Sequence, residues 1–187
     1  CYLRRVPRPL ACLLSMTLLV ACASPGGGST ETEGPQYQPG DAWAEPGWGK
    51  ELFHPISAGD DYPIILGGQG AYMFTLTLHA GGFALPAEGV SPSDPSWPHI
   101  DASVDIEGWT GELDPRGHFS SVEHIPVEFR ELEDGSYEYI RLALLLPENL
   151  LVFDDILGAP LTLRYRLDCG DGQFLEEELP LVVALGD

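Results

Sequence analysis

The chain has 187 residues and carries 29 acidic residues against 9 basic ones, a formal charge of −20 at pH 7. That length holds one ordinary domain with appendages and excludes a large multidomain enzyme, while 44% apolar and 10% aromatic residues exclude wholesale disorder. The sign of the charge repels nucleic acid and anionic lipid headgroups, so both are poor partners for the body of the protein.

In chain order, the first segment joins a cationic stretch, Arg4-Arg5-Val6-Pro7-Arg8, to an apolar run from Leu10 to Val20. These are the n- and h-regions of an export signal. The apolar run is too short to cross a ~30 Å hydrocarbon core as a helix. It ends in Leu19-Val20-Ala21-Cys22, which resembles the lipobox of bacterial lipoproteins: an aliphatic residue at −3, a small one at −1 and an obligatory cysteine. The resemblance implies a signal peptide over residues 1–21, cut ahead of Cys22. The Cys22 thiol then takes a diacylglyceryl group and its freed amino group is acylated.

The same resemblance implies partners, namely the lipoprotein processing and sorting machinery and the membrane itself through the N-terminal lipid anchor. Several acyl chains at ~0.8 kcal/mol per buried methylene make a second anchor unnecessary. Ala23 and Ser24 follow the cysteine with no aspartate, which by the sorting rule of diderm bacteria implies the outer membrane. The bland alternative is a secretory signal with a chance cysteine. Cys12 does not compete, because Pro9 stands at its −3 position, and the residues after Arg4-Arg5 do not fit a twin-arginine signal. The chain opens on Cys1 rather than Met, so a longer n-region is expected. Without residues 1–21 the remainder carries 6 basic and 29 acidic residues, a charge of −23.

Residues 22–49 read as a lipidated cysteine and a flexible, disordered linker rich in Gly, Pro, Ser, Thr, Glu and Gln, with no apolar periodicity. Trp43 and Trp48 are its anomaly. Either they dock on the folded domain and begin its first strand, the favoured reading, or they form an exposed aromatic contact for a partner.

The domain is expected over residues 50–187 and reads as all-β. Short strands are expected at Leu52–Pro55 and Pro63–Leu66. Tyr72, Phe74, Leu76 and Leu78 then alternate with Met73, Thr75, Thr77 and His79, the period of two that marks a half-buried strand. Ile100, Ala102, Val104 and Ile106 alternate with Asp101, Ser103, Asp105 and Glu107 in the same way. Asp134-Gly135 is expected to turn a hairpin between Ile125–Glu131 and Tyr137–Leu146, with Ile140, Leu142, Leu144 and Leu146 on the inner face. Pro147–Leu157 lacks strict alternation and reads as a short crossover turn or helix. Leu161, Leu163, Tyr165 and Leu167 face inward opposite Thr162, Arg164 and Arg166, and Asp171-Gly172 turns into a last strand near Phe174–Leu185.

Seven or eight short strands with Gly- and Pro-rich turns point to an antiparallel two-sheet sandwich of immunoglobulin-like topology. A closed β-barrel is the runner-up. The terminal segment resembles the last two strands of bacterial Ig-like domains in pattern, over about 30 residues, without the Cys, Trp, Cys signature of antibody domains.

Chemistry is harder to find. The chain has no nucleophile elbow, no H-E-x-x-H, no C-x-x-C and no phosphate-binding loop. Gly67-Gly68-Gln69-Gly70 reads as a tight turn feeding a strand. Of the five histidines, His54, His79, His99, His118 and His124, only the last two share a loop region, and they read as surface residues rather than a zinc pair. Asp60, Asp61, Asp154, Asp155, Asp168 and Asp171 fall in expected turns, where carboxylates and freed carbonyls can converge on calcium. Aspartate also belongs in turns for its own hydrogen bonds to the backbone, the blander account. Glu176-Glu177-Glu178 reads as a solvated or edge-protecting run. With Cys1 and Cys12 leaving in the signal and Cys22 lipidated, Cys169 has no intramolecular partner and reads as a partly buried, unpaired thiol.

Two function classes remain. One is a membrane-anchored, non-catalytic β-sandwich that binds an envelope protein or glycan, or is structural. The other is an envelope hydrolase using loop carboxylates, with or without calcium. The missing motifs favour the first. Its best contact candidate is Trp97, at the end of Phe83–Pro98, the longest irregular stretch and rich in proline; the competing reading packs Trp97 under that loop.

Overall fold

A computed structural model of the chain describes residues 40–68, 70–147 and 153–186. The expected signal peptide, Cys22 and most of the expected linker lie outside them. The strands are β1 (Trp43–Trp48), β2 (His54–Pro55), β3 (Asp61–Leu66), β4 (Tyr72–Gly81), β5 (His99–Ile106), β6 (Ser120–Pro126), β7 (Arg130–Glu131), β8 (Tyr137–Leu145), β9 (Pro160–Asp168) and β10 (Phe174–Leu185). The described residues contain one 3₁₀ turn, Phe153–Asp155, and no α-helix. Of the expected crossover Pro147–Leu157, residues 148–152 lie outside the described set.

The protein is all-β, as the periodicity predicts. Its strands make one curled, mixed sheet. On one side β2, β1 and β4 pair in succession and β8 pairs with the other edge of β4, carrying β7. On the other side β10, β9, β5 and β6 pair in that order. β3 joins the two sides: Asp61–Ile64 runs parallel to β10, whereas Ile65 and Leu66 pair antiparallel with Met73 and Tyr72 of β4. The expectation of a wholly antiparallel sheet is therefore corrected at β3. Nor does the sheet close as a barrel among the described residues, because β6 ends the strand order and β8 there bonds only β4 and β7.

Residues from both sides meet in one core that includes Tyr62, Phe74, Leu76, Ile100, Leu144, Leu163 and Leu181. β9 buries Leu161, Leu163, Tyr165 and Leu167 as its alternation predicts. β4 does more than its alternation suggests, since Thr75 and Thr77 are as buried as Phe74. The chain just after β1 covers them: the Gly49 amide donates to Thr75 Oγ1 at 3.1 Å, and Phe53 stacks on His79 at 3.8 Å between ring centroids.

That cover moves the domain boundary. β1 pairs with β4 from Trp43↔Gly81 to Gly47↔Thr77, so the folded body begins ahead of residue 50. Trp48 packs against the core and stacks on His54, while Trp43 stays 45% exposed with its indole over Gly81. This is the strand that the two tryptophans are expected to begin, and its glycine serves close approach: a Cβ at Gly47 would meet the His54 carbonyl at 2.5 Å.

The hairpin around Asp134-Gly135 is also shorter than expected. Its first arm splits: β6 pairs with β5, and only Arg130 and Glu131 of β7 reach β8. Ile140 leaves the inner face. The β4–β8 register skips between Leu76↔Leu142 and Leu78↔Tyr139, and Arg141 sits at φ 78°. This β-bulge reverses the parity of the strand, so Tyr137 is buried on one side of it and Leu142 and Leu144 on the other. A second bulge interrupts the β5–β6 register between Ile100 and Ala102, with His124 at φ 52°.

Candidate functional site

The Asp171-centred hairpin sets the geometry of the most structured polar surface. Residues equidistant from that turn pair across it, which places Glu176 opposite Arg166, Glu177 opposite Tyr165 and Glu178 opposite Arg164. On the far edge of β9 the register places Asp101 beside Arg166 and Ser103 beside Arg164. Because Leu163, Tyr165 and Leu167 point into the core, the intervening arginines stand on the solvent face.

On that face the arginines form a column between two columns of acids. Arg164 donates from Nε to Glu178 at 2.8 Å and from Nη1 to Asp105 at 2.7 Å. The hydrogen bond to Glu178, with Asp105 adding to it, holds the guanidinium charged above the ordinary arginine range. Arg166 reaches Glu176 at 3.3 Å and lies over the Phe174 ring, 4.6 Å from its centroid. His118 Nδ1 stands 3.0 Å from Asp105 Oδ2, and Arg116 Nε is 2.8 Å from Glu123. Exposed pairs of this kind stabilise by 0–1 kcal/mol each, so the ladder orients side chains more than it holds the fold.

The face is concave. A cleft of about 510 Å³ runs along it, and its lining includes Ser103, Ser121, Arg116, His118, Arg164 and Arg166. The Arg166 guanidinium, besides its contacts with Glu176 and Phe174, lines the cleft, where it can meet a ligand. Beside the cleft, Asp114 accepts from the Ser121 hydroxyl and from the amides of Arg116 and His118, the latter two at 2.9 Å. Burial works against its charge, yet these hydrogen bonds hold the Asp114 carboxyl below the usual range.

The turn aspartates do not converge. Asp60 accepts from the Ser57 amide at 2.8 Å, Asp168 from the Gly170 amide at 2.9 Å, and Asp171 from the Gln173 amide at 3.0 Å and its side chain at 2.8 Å. Asp61 opens β3, and Asp154 and Asp155 lie exposed in the 3₁₀ turn. Among the described residues no three His, Cys, Asp or Glu side chains gather as metal ligands. Each turn bond is the local side-chain-to-backbone contact that makes aspartate a turn residue. His118 and His124 part company as well, for His124 stacks on His99 at 4.0 Å.

Trp97 is half-buried, and its indole N–H donates to the Val127 carbonyl at 3.1 Å, which ties the end of the long loop to the segment after β6. Cys169 is fully buried in the core; desolvation, with Asp171 and Asp168 nearby, pushes its thiol up to about 12.

The charged cleft escaped sequence reading as a site. Its parts were visible, the outward Arg164 and Arg166 and the acidic run at 176–178, but their pairing needs the exact hairpin register. No family profile, curated protein or solved structure matches this chain.

Proposed function

We propose that the protein is a lipid-anchored envelope module that binds a partner through the solvent face of β5, β6, β9 and β10. The observation that carries the reading is the cleft, which gathers Arg116, Arg164 and Arg166, three of the six basic residues found from residue 22 onward. In a chain of charge −20, such a concentration beside ordered carboxylates is a pattern for recognition. The partner is a protein surface with charges of both signs, since alternating guanidinium and carboxylate columns offer partners to each. A neutral glycan has no charge to read that pattern.

An immunoglobulin-like sandwich is the finer reading of the fold. What supports it is the pairing of β1, β4, β8 and β7 on one side and of β10, β9, β5 and β6 on the other, with β3 passing between them and running parallel to the last strand. In this reading the cleft lies on the outer face of the second sheet. Anchoring through Cys22, cleavage after Ala21 and residence in the outer membrane follow from the lipobox resemblance.

Two experiments test the parts separately. A palmitate analogue fed to expressing cells should label wild type and not Cys22→Ser, which should accumulate uncleaved; equal labelling of both removes the anchor. Cross-linking in intact envelopes should yield a partner adduct that the double variant Arg164→Glu, Arg166→Glu loses while its melting midpoint stays within a few degrees. An adduct unaffected by the double variant removes the cleft from the function.

A further inference from the structure

A second cleft lies at the opening of the curled sheet. It has a volume of about 530 Å³ and is lined by Leu113, Asp114, Pro115 and Phe119 from the β5–β6 connection, with Ala143 and Leu145 of β8 opposite. Leu113 is 48% and Leu145 55% exposed, so each side of this cleft presents a large apolar side chain to solvent among polar neighbours.

The backbone of β8 matters more than its side chains. The Leu146 amide donates to the Tyr72 carbonyl at 3.0 Å, which makes that couple a hydrogen-bonded pair of the β4–β8 ladder. Antiparallel ladders alternate, so Leu144 and Leu142 also turn their backbone groups to β4, whereas Ala143 and Leu145 turn theirs the other way. β7 covers β8 only at Tyr137 and Glu138. Among the described residues the outward N–H and C=O groups of Ala143 and Leu145 therefore have no partner, and both residues line the cleft. Proteins blunt such edges with charge, proline or a bulge. The neighbouring edge of β6 has all three, in Glu123, Pro126 and the bulge at His124, whereas β8 runs Leu142-Ala143-Leu144-Leu145 with none between the bulge at Arg141 and Pro147.

We propose that this edge is a strand-docking site that takes an extended, basic segment of a partner protein. Backbone pairing with Ala143 and Leu145 supplies affinity, as in other β-strand additions. Charge selects the class of guest: the chain carries −20, and among the cleft's lining residues the acids Glu112 and Asp114 outnumber the one base, Arg116, so lysine or arginine beside the paired residues is favoured. A second copy of this acidic chain would bring like charge to like. The site is independent of the lipid anchor and adjoins the arginine face, with which it shares Arg116, Ser121 and Val122.

The test uses the full chain and two synthetic heptapeptides of alternating threonine and valine, one with a lysine at each end and one with a glutamate at each end. Amide hydrogen exchange is followed residue by residue. The lysine peptide should slow exchange at Ala143 and Leu145 at least tenfold and leave Leu144 unchanged, because that amide already bonds β4. N-methylating alternate amides along one edge of the peptide should abolish the protection without altering the protein. Leu145→Pro, which removes one outward N–H from an edge position, should weaken the effect likewise. No protection at either amide by a saturating lysine peptide overturns the site. Equal protection by the glutamate peptide overturns the basic guest, and protection that grows with protein concentration alone overturns it in favour of self-pairing.

Discussion

Tyr62 is fully buried, stacked on Phe74 at 5.1 Å between ring centroids, and its hydroxyl has no hydrogen-bond partner among the described residues. Burial drives its ionisation far above the ordinary tyrosine range, so the group stays a neutral, unsatisfied donor. An unmade hydrogen bond in the core costs about 1–3 kcal/mol, and removing the polar atom relieves that cost. Tyr62→Phe should therefore leave the unfolding free energy unchanged or raise it by about 1 kcal/mol, whereas Phe74→Ala should lower it by about 3–5 kcal/mol through lost burial and a cavity. Denaturant melts of the two variants decide it; a loss above 1 kcal/mol in Tyr62→Phe would mean that the hydroxyl has a partner after all. Cys169 has the opposite exposure to chemistry from a reactive cysteine. With its thiol up at about 12 and its side chain fully buried, it has almost no thiolate at pH 8. Iodoacetamide should leave the peptide containing Cys169 unmodified in the native protein and label it in urea, as read by mass spectrometry. Native labelling within minutes would contradict the burial.

The two bulges decide which elements were legible in the sequence. Where a strand runs without interruption, parity reads true: β9 and the second half of β8 bury the residues that alternation assigns to the core. Across Arg141 parity reverses, and no periodicity count over Tyr137–Leu146 can see one inserted residue. Ile140 was lost from the inner face for that reason, and with it the burial of Tyr137, whose hydroxyl donates to the Phe83 carbonyl at 3.1 Å. β6 was misplaced because its pairing with β5 depends on a side chain: Asp101 Oδ1 accepts from the His124 amide at 2.7 Å and so holds the bulge that brings Ile125 back into register. The cleft was illegible on the same account, since columns of charge exist only once register is fixed. A non-glycine residue at positive φ costs of order 1–3 kcal/mol in backbone strain. Arg141→Gly should relieve much of it against a higher chain entropy in the unfolded state, giving a net gain of about 0.5 kcal/mol or more. Asp101→Ala should instead lose about 1 kcal/mol, the size of a capping hydrogen bond. Chemical denaturation measures both, and a loss in Arg141→Gly would show that the arginine side chain, not the backbone, sets the bulge.

At the scale of the whole molecule, charge acts in two opposed ways, and substitutions can separate them. A formal −20 on this chain repels itself, and salt relieves that repulsion because the Debye length falls from about 30 Å at 0.01 M to about 10 Å at 0.1 M. The ladder on β5, β9 and β10 works the other way: its ion pairs are attractive, short-ranged and weak. The melting midpoint should accordingly rise between 10 mM and 150 mM NaCl, since long-range repulsion among 29 acids outweighs a few exposed pairs. The location of a reversed charge should then matter more than its sign. Glu88→Lys, in the long exposed loop after β4, lowers the net charge without breaking a contact and should raise the midpoint at low salt. Glu178→Lys lowers it equally but sets an ammonium beside Arg164, where 2.8 Å now joins opposite charges. It should gain less than Glu88→Lys at 10 mM NaCl and fall below wild type at 150 mM, when self-repulsion is screened and the lost pair remains. If the two variants melt alike at both salt concentrations, the ladder contributes nothing beyond its share of the net charge, and the arginine face loses its claim to be an ordered surface.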